Sequence, residues 1–256
     1  MKKIVFALTG IALLACTNVE AQNKTAESIS KKYRFALFGN IGTSGLKATS
    51  ATVTNDSIIY DIKKDGGRFS SGIGVAVELP LTESATLASG LGVDWYGGTL
   101  DAKRKATSVS EQHNYAKDAN IEYKLQSVNI PISLRLKASN INDKMFIFGR
   151  VGGDLGFVIG RNADYSITGS RSLGTDTVIA GTGKLSAKTV TPIQFGWHFG
   201  AGVEYKIAKN AVFGEILYRN NLLDATLPQF RDVALYKFND GNVRSNNISL
   251  RIGYFF

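Results

Sequence analysis

Cysteine occurs once in the 256 residues, at Cys16, and proline only four times. One thiol excludes a disulfide scaffold and a multi-thiolate metal site together. Scarce proline beside 27 glycines favours tightly curved sheet over flexible linker. The two histidines, His113 and His198, leave little room for imidazole chemistry. No apolar run approaches the ~20 residues of a membrane-spanning helix. Negative charge is in the minority, with 21 Asp and Glu against 30 Lys and Arg, for a formal charge of +9. That excess is scattered rather than striped along one face, so no nucleic-acid partner is expected. A hydrophobic share of 44% is too high for a disordered chain.

What is present begins with an export signature. Lys2 and Lys3 form a positive start, Ile4 to Ala15 a short apolar stretch, and Val19-Glu20-Ala21 a small-residue cleavage site. This pattern predicts a secretory signal peptide over residues 1–21, because the apolar stretch is too short to span a bilayer. A lipoprotein signal is the alternative, since Leu13-Leu14-Ala15 precedes Cys16. Cleavage after Ala21 removes the only cysteine and leaves a charge of +8, with residues 22–32 as a short periplasmic segment before a domain over 33–256.

From residue 33 onward the dominant signal is period two, the mark of strands. Eight rows alternate: Phe35, Leu37 and Ile41 against Arg34 and Asn40; Ile73 to Leu79 against Gly72 to Glu78; Leu87 to Trp95 against Ala88 to Asp94; Val128 to Leu136 against Asn129 to Lys137. The remaining four follow the same rule: Ile147 to Phe157 against Arg150 to Gly156, Ile193 to Ile207 against Gln194 to Lys206, Val212 to Tyr218 against Glu215 and Arg219, and Ile248 to Phe256 against Ser249 to Gly253. Ile121, Tyr123 and Leu125 have the opposite parity to the row that follows, which predicts a bulge near Gln126 or Ser127.

The bulky rows are apolar, while the opposite rows combine Gly and Ala with full charges. A soluble barrel would have to bury Arg34, Glu78, Arg135, Arg150, Glu204, Glu215 and Arg251 in its core at a large desolvation cost. Reversing the faces suits a transmembrane barrel, with lipid outside and a narrow charged lumen inside. Tyr33, Tyr205, Tyr254 and Phe256 are expected at one interfacial girdle, and Trp95, Tyr123 and Tyr218 at the other. Short links near 82–84, 138–144 and 208–210 alternate with four long ones near 43–70, 97–120, 160–192 and 221–245. The expectation is an all-β, closed eight-stranded antiparallel up-and-down barrel, with termini and turns periplasmic and long loops extracellular.

Four segments carry a resemblance: "YKLQSVNIPISLRLK", "FIFGRVGGDLGF", "FGWHFGAGVEYKI" and "VFGEILYRNNLLDA". In order and spacing the chain resembles the outer-membrane β-barrel domain family widespread in Bacteroidota, which includes PorT-like and short porin-family proteins. The resemblance implies an outer-membrane location and an eight-stranded barrel, but no uniform activity. Tyr254 and the final Phe256 resemble the terminal aromatic signal read by barrel-assembly machinery.

Catalytic and metal motifs do not emerge. His198 shares the lumen face with Asp154, without a serine at a matching position, so a structural histidine is expected. "GTGKLS" at 181–186 lacks the first Gly and the final Ser or Thr of a phosphate loop. Asp56, Asp61, Asp65 and Asp101 lack calcium-loop spacing. No catalytic, metal or cofactor residue is assigned. The expected function is therefore a non-enzymatic outer-membrane barrel, porin-like or structural. The alternatives are a surface recognition or adhesion protein acting through its loops, and an accessory component of a secretion machine. Expected partners are outer-membrane lipid, lipopolysaccharide and the assembly machinery.

Overall fold

The computed structural model describes residues 33–48, 52–55, 58–105, 116–172, 175–185, 190–226 and 243–256. The signal-peptide and cleavage expectations, Cys16, the 22–32 segment, Asp56 and His113 lie outside the described residues. Ten strands run β1 Arg34–Ala48, β2 Thr52–Asn55, β3 Ile58–Pro80, β4 Ala85–Arg104, β5 Ala116–Asn140, β6 Met145–Ser172, β7 Thr175–Lys184, β8 Ile193–Ile207, β9 Asn210–Asn221 and β10 Val243–Phe255. Eight of them, β1, β3, β4, β5, β6, β8, β9 and β10, pair antiparallel in sequence order. The ring is completed where β1 pairs both β3, through Arg34↔Glu78, and β10, through Ala36↔Phe255. The fold is an antiparallel up-and-down barrel. Strands β2 and β7 are additional, hairpinned onto β3 and β6.

The short turns form for local reasons. Asn142 Oδ1 accepts from the backbone N–H of Lys144 and Met145 at 2.9 and 2.8 Å, and the Thr82 hydroxyl accepts from Ala85 N–H at 2.9 Å. Ala208 and Lys209 alone link β8 to β9, and Ala208 takes a positive φ of 53° to do so.

Two expectations need correction. Three of the long links, near 43–70, 97–120 and 160–192, are mainly strand among the described residues, while most of the fourth lies outside them: β5 and β6 run 25 and 28 residues, roughly 80–90 Å of strand. That far exceeds the ~10 residues that cross a bilayer. Tyr123 is not in an outer girdle; it is fully buried inside. Both have one cause. In β5 the inward residues keep a single parity from Ile121 through Tyr123, Leu125, Ser127, Asn129 and Ser133 to Arg135. The backbone does not switch face near Gln126; the chemistry of the faces does. The register shift at Gln126/Ser127 is present, but its extra residue, Ile159, belongs to β6.

The barrel is therefore inverted along its axis. In the half that carries the short turns, Leu37, Ile73, Val75, Ile132, Ile216 and Ile252 stand exposed on the outside while charges fill the inside. In the long-loop half, Leu46, Tyr60, Ile62, Leu100, Ile121, Tyr123, Leu125 and Ile167 pack into a buried apolar core. The outside there is polar, with Arg68 paired to Glu122 and Lys124 to Asp164. Hydrogen bonds from Lys124 and from the Thr182 hydroxyl (2.8 Å) hold the Asp164 carboxyl below its ordinary range.

Candidate functional site: the barrel interior

All seven charged residues expected in the lumen face inward, six of them buried and Arg34 part-exposed near the turn end. They come from seven strands and form one alternating path. Arg34 Nη2 donates to Glu204 Oε1 at 2.7 Å, and Glu204 Oε2 lies 2.6 Å from Arg135 Nη2 as an ion pair off the hydrogen-bond axis. Arg135 Nη1 reaches both Glu78 oxygens at 3.1 and 3.3 Å, and Glu78 Oε1 lies 3.6 Å from Arg150 Nη2. Arg150 Nε donates to Glu215 Oε2 at 2.9 Å, and Arg251 Nη1 to Glu215 Oε1 at 3.0 Å. Glu204 and Glu215 thus each bridge two arginines and Glu78 reaches three, Arg34 among them at 3.9 Å, while Arg150 also donates to the Ser133 hydroxyl at 3.0 Å.

Aromatic rings fill the space between the charges. The Arg135 guanidinium lies 3.7 Å from the Phe148 ring centroid, Arg34 lies 3.9 Å from Phe255, and Arg251 lies 4.5 Å from Phe38. Gly202 makes this crowding possible, since a Cβ there would lie 2.6 Å from Glu215 Cβ and 2.7 Å from Phe148 Cζ. Phe213 and Leu217, which blur the alternation of β9 in the sequence, are inward-facing and buried.

Sequence reasoning did not assemble a second polar layer nearer the middle. Arg219 Nη1 donates to Asp94 Oδ2 at 2.5 Å, and its Nε lies 3.2 Å from Asp154 Oδ2. Asp154 Oδ2 is 2.7 Å from His198 Nδ1, while Asn129 and Asn40 donate to Asp94 at 2.7 and 3.1 Å. Tyr96 OH donates to Gln194 Oε1 at 2.8 Å. All of these residues but Tyr96 sit on inward rows read from the sequence, so their shared face was legible but their common level was not. The cavity beside them measures about 30 Å³, about one water's share of liquid volume. His198 is only 1% exposed. Asp154 holds its ring through Nδ1, and the same Asp154 oxygen lies against Arg219.

From the turn end to the loop end, the interior is thus a charged layer, a polar layer and an apolar core. An apolar exterior belt around a charged interior, on a closed antiparallel ring, defines a transmembrane β-barrel of the bacterial outer-membrane type. Residues 20–225 match the family model described as outer membrane protein beta-barrel domain, and the chain belongs to that family. A search of curated proteins finds no match.

Among solved structures, the chain is similar to Ail, the attachment invasion locus protein of Yersinia pestis, in complex with the heparin analogue sucrose octasulfate. Identity is 12%, covering 88% of this chain and 99% of that one, with a TM-score of 0.37. It is also similar to Neisserial surface protein A, at 12% identity over 86% of this chain and 95% of that one, with a TM-score of 0.39. The outer membrane protease OmpT of Escherichia coli matches at 9% identity over 91% and 99%, with a TM-score of 0.30.

Proposed function

We propose that this protein is a non-conducting, non-enzymatic outer-membrane barrel that carries a rigid β-extension and its loops above the cell surface. The observation that supports this reading is the stacking of buried side chains along the lumen: the charged path, the polar layer and the apolar core occupy successive levels of the interior. Eight strands enclose a lumen only wide enough for side chains. The inversion of faces supports the orientation. Lipid contact favours apolar residues outside, whereas water favours them inside, so the long-loop half stands clear of the membrane. With the short turns, Arg34 and Phe255 at the opposite end, this reading puts the turn end in the periplasm and the long-loop half outside the cell. Export through the 1–21 signal peptide fits this placement, and the motif resemblance favours a Bacteroidota cell.

This reading prefers surface structure or recognition over nutrient diffusion. The outward lysines, among them Lys47, Lys63 and Lys103, suit contact with anionic lipopolysaccharide. In planar bilayers the unmutated protein should show little steady conductance; a large, stable conductance would reject the filled lumen and restore a pore.

Assembly provides a second test. Tyr254 and Phe256 stand exposed at the end of β10, at the turn end of the barrel. Removal of Phe256 should lower the amount of folded outer-membrane barrel while export to the periplasm continues. Unchanged outer-membrane levels after the deletion would count against an assembly signal.

A further inference from the structure

The turn-end mouth of the barrel contains a cavity of about 150 Å³ lined by Arg34, Arg135, Lys137 and Lys206, with Phe146 and Phe148 as its apolar wall. Strand parity places these groups together. Arg135 and Lys137 are successive inward positions of β5, Phe146 and Phe148 of β6, and Thr86 stands opposite Arg135 on β4. Lys206 follows Glu204 on the inward row of β8. The Lys137 and Lys206 ammonium groups approach the same ring, at 4.8 and 5.9 Å from the Phe146 centroid.

Three observations set this cluster apart from an ordinary solvated rim. Lys137 and Lys206 form no ion pair among the described residues, unlike the arginines beneath them. Arg135, which is 4% exposed, has no hydrogen-bond acceptor for its Nε. Glu83, the one carboxylate among the lining residues, is exposed and pairs with none of the cations. The carboxylates that could neutralise the cluster, Glu78 and Glu204, are already shared between arginines.

We infer that this mouth is a binding site for a phosphate group, held by Lys137 and Lys206 with Arg34, Arg135 and the hydroxyls of Ser84 and Thr86 around it. Two unpaired ammonium groups match a dianion better than a single carboxylate. Ammonium groups act as point charges that suit phosphate without a fixed planar geometry. Low-dielectric phenyl walls strengthen the local positive potential. The volume is that of about five waters at liquid density, enough for a phosphate group. A free phosphate and a lipid phosphate headgroup share this chemistry.

The test uses the exported chain folded in dodecyl maltoside micelles, which carry no phosphate. Backbone amide signals of Ser84, Thr86, Lys137 and Lys206 are followed by NMR during titration with sodium phosphate. Sodium chloride at matched ionic strength and sodium succinate serve as controls. Saturable shifts with phosphate, and affinity weakened about tenfold or more in the Lys137→Ala/Lys206→Ala double variant, are expected. Both lysines lie outside the Glu–Arg path, so the double variant should keep its folded gel mobility. Saturation by inorganic phosphate identifies a free-phosphate site. Shifts seen only when dihexanoyl phosphatidic acid is added to the micelles identify a headgroup site. Shifts that merely follow chloride, persist in the double variant, or are matched by succinate overturn the proposal.

Discussion

Replacing Glu215 with alanine should destabilise the folded barrel by about 3–5 kcal/mol. Glu215 is fully buried and accepts from Arg150 at 2.9 Å and Arg251 at 3.0 Å. Its removal leaves two guanidinium groups with fewer carboxylates inside a narrow lumen, where water does not solvate them freely. Arg150 keeps Ser133 and a longer approach to Glu78, whereas Arg251 loses its only carboxylate partner among the described residues. The measurement is urea unfolding in micelles, followed by the gel-mobility difference between folded and boiled barrel. Asp164→Ala provides the contrast, because its pair with Lys124 lies on the solvated exterior and should be worth no more than about 1 kcal/mol. Equal unfolding midpoints for the two variants would show that the interior charges are hydrated and contribute little.

The second large effect belongs to the apolar core. Leu91 and Leu100 lie on the same strand, β4, but on opposite faces: Leu91 is 49% exposed on the outside and Leu100 is fully buried inside. Leu100→Ala removes methyl groups from a packed core shared with Leu46, Tyr60 and Ile121 and should cost about 2–5 kcal/mol. Leu91→Ala exchanges one lipid-facing side chain for a smaller one and opens no internal cavity. Limited proteolysis of the folded proteins should therefore nick Leu100→Ala within the long-loop half while its turn-end half stays protected. If Leu100→Ala is as resistant as Leu91→Ala, the long-loop half is not held together by this core.

These two variants also separate what was legible in the sequence from what was not. Period two placed Glu215, Arg251 and the other five charges on one face, because alternation in a strand leaves no other arrangement. It also placed Leu91 outside. Partners were harder to read. Glu215–Arg251 join neighbouring strands and follow from strand order, but Arg135–Glu78 spans β4, and Arg34–Glu204 joins β1 to β8, which are not neighbours. Contacts of that kind depend on barrel diameter and side-chain reach, which a one-dimensional pattern does not contain.

Tyr123 was misplaced for a different reason. A change of apolar parity can mean a bulge between two rows in one environment, or a straight strand passing between two environments. Only the unbroken inward run from Ile121 to Arg135 distinguishes them. The same ambiguity made long strand extensions read as loops. The layer of Asp94, Asp154 and Arg219 was missed because its members lie on three different strands, and their common height depends on stagger.

The alternating charge path begins at Arg34 on β1 and ends at Arg251 on β10, the two strands that meet at the seam of the ring. Several of its links reach over or across intervening strands, so a curved but open sheet presents the same side chains to water without bringing them into register. Closure of the ring is thus what brings Arg34 within reach of Glu204. Opening the β1–β10 seam would pull Arg34 away from Glu204, because the two stand on opposite sides of it. The electrostatics of the interior act as a latch on the seam, set only when the chain's two ends have found each other.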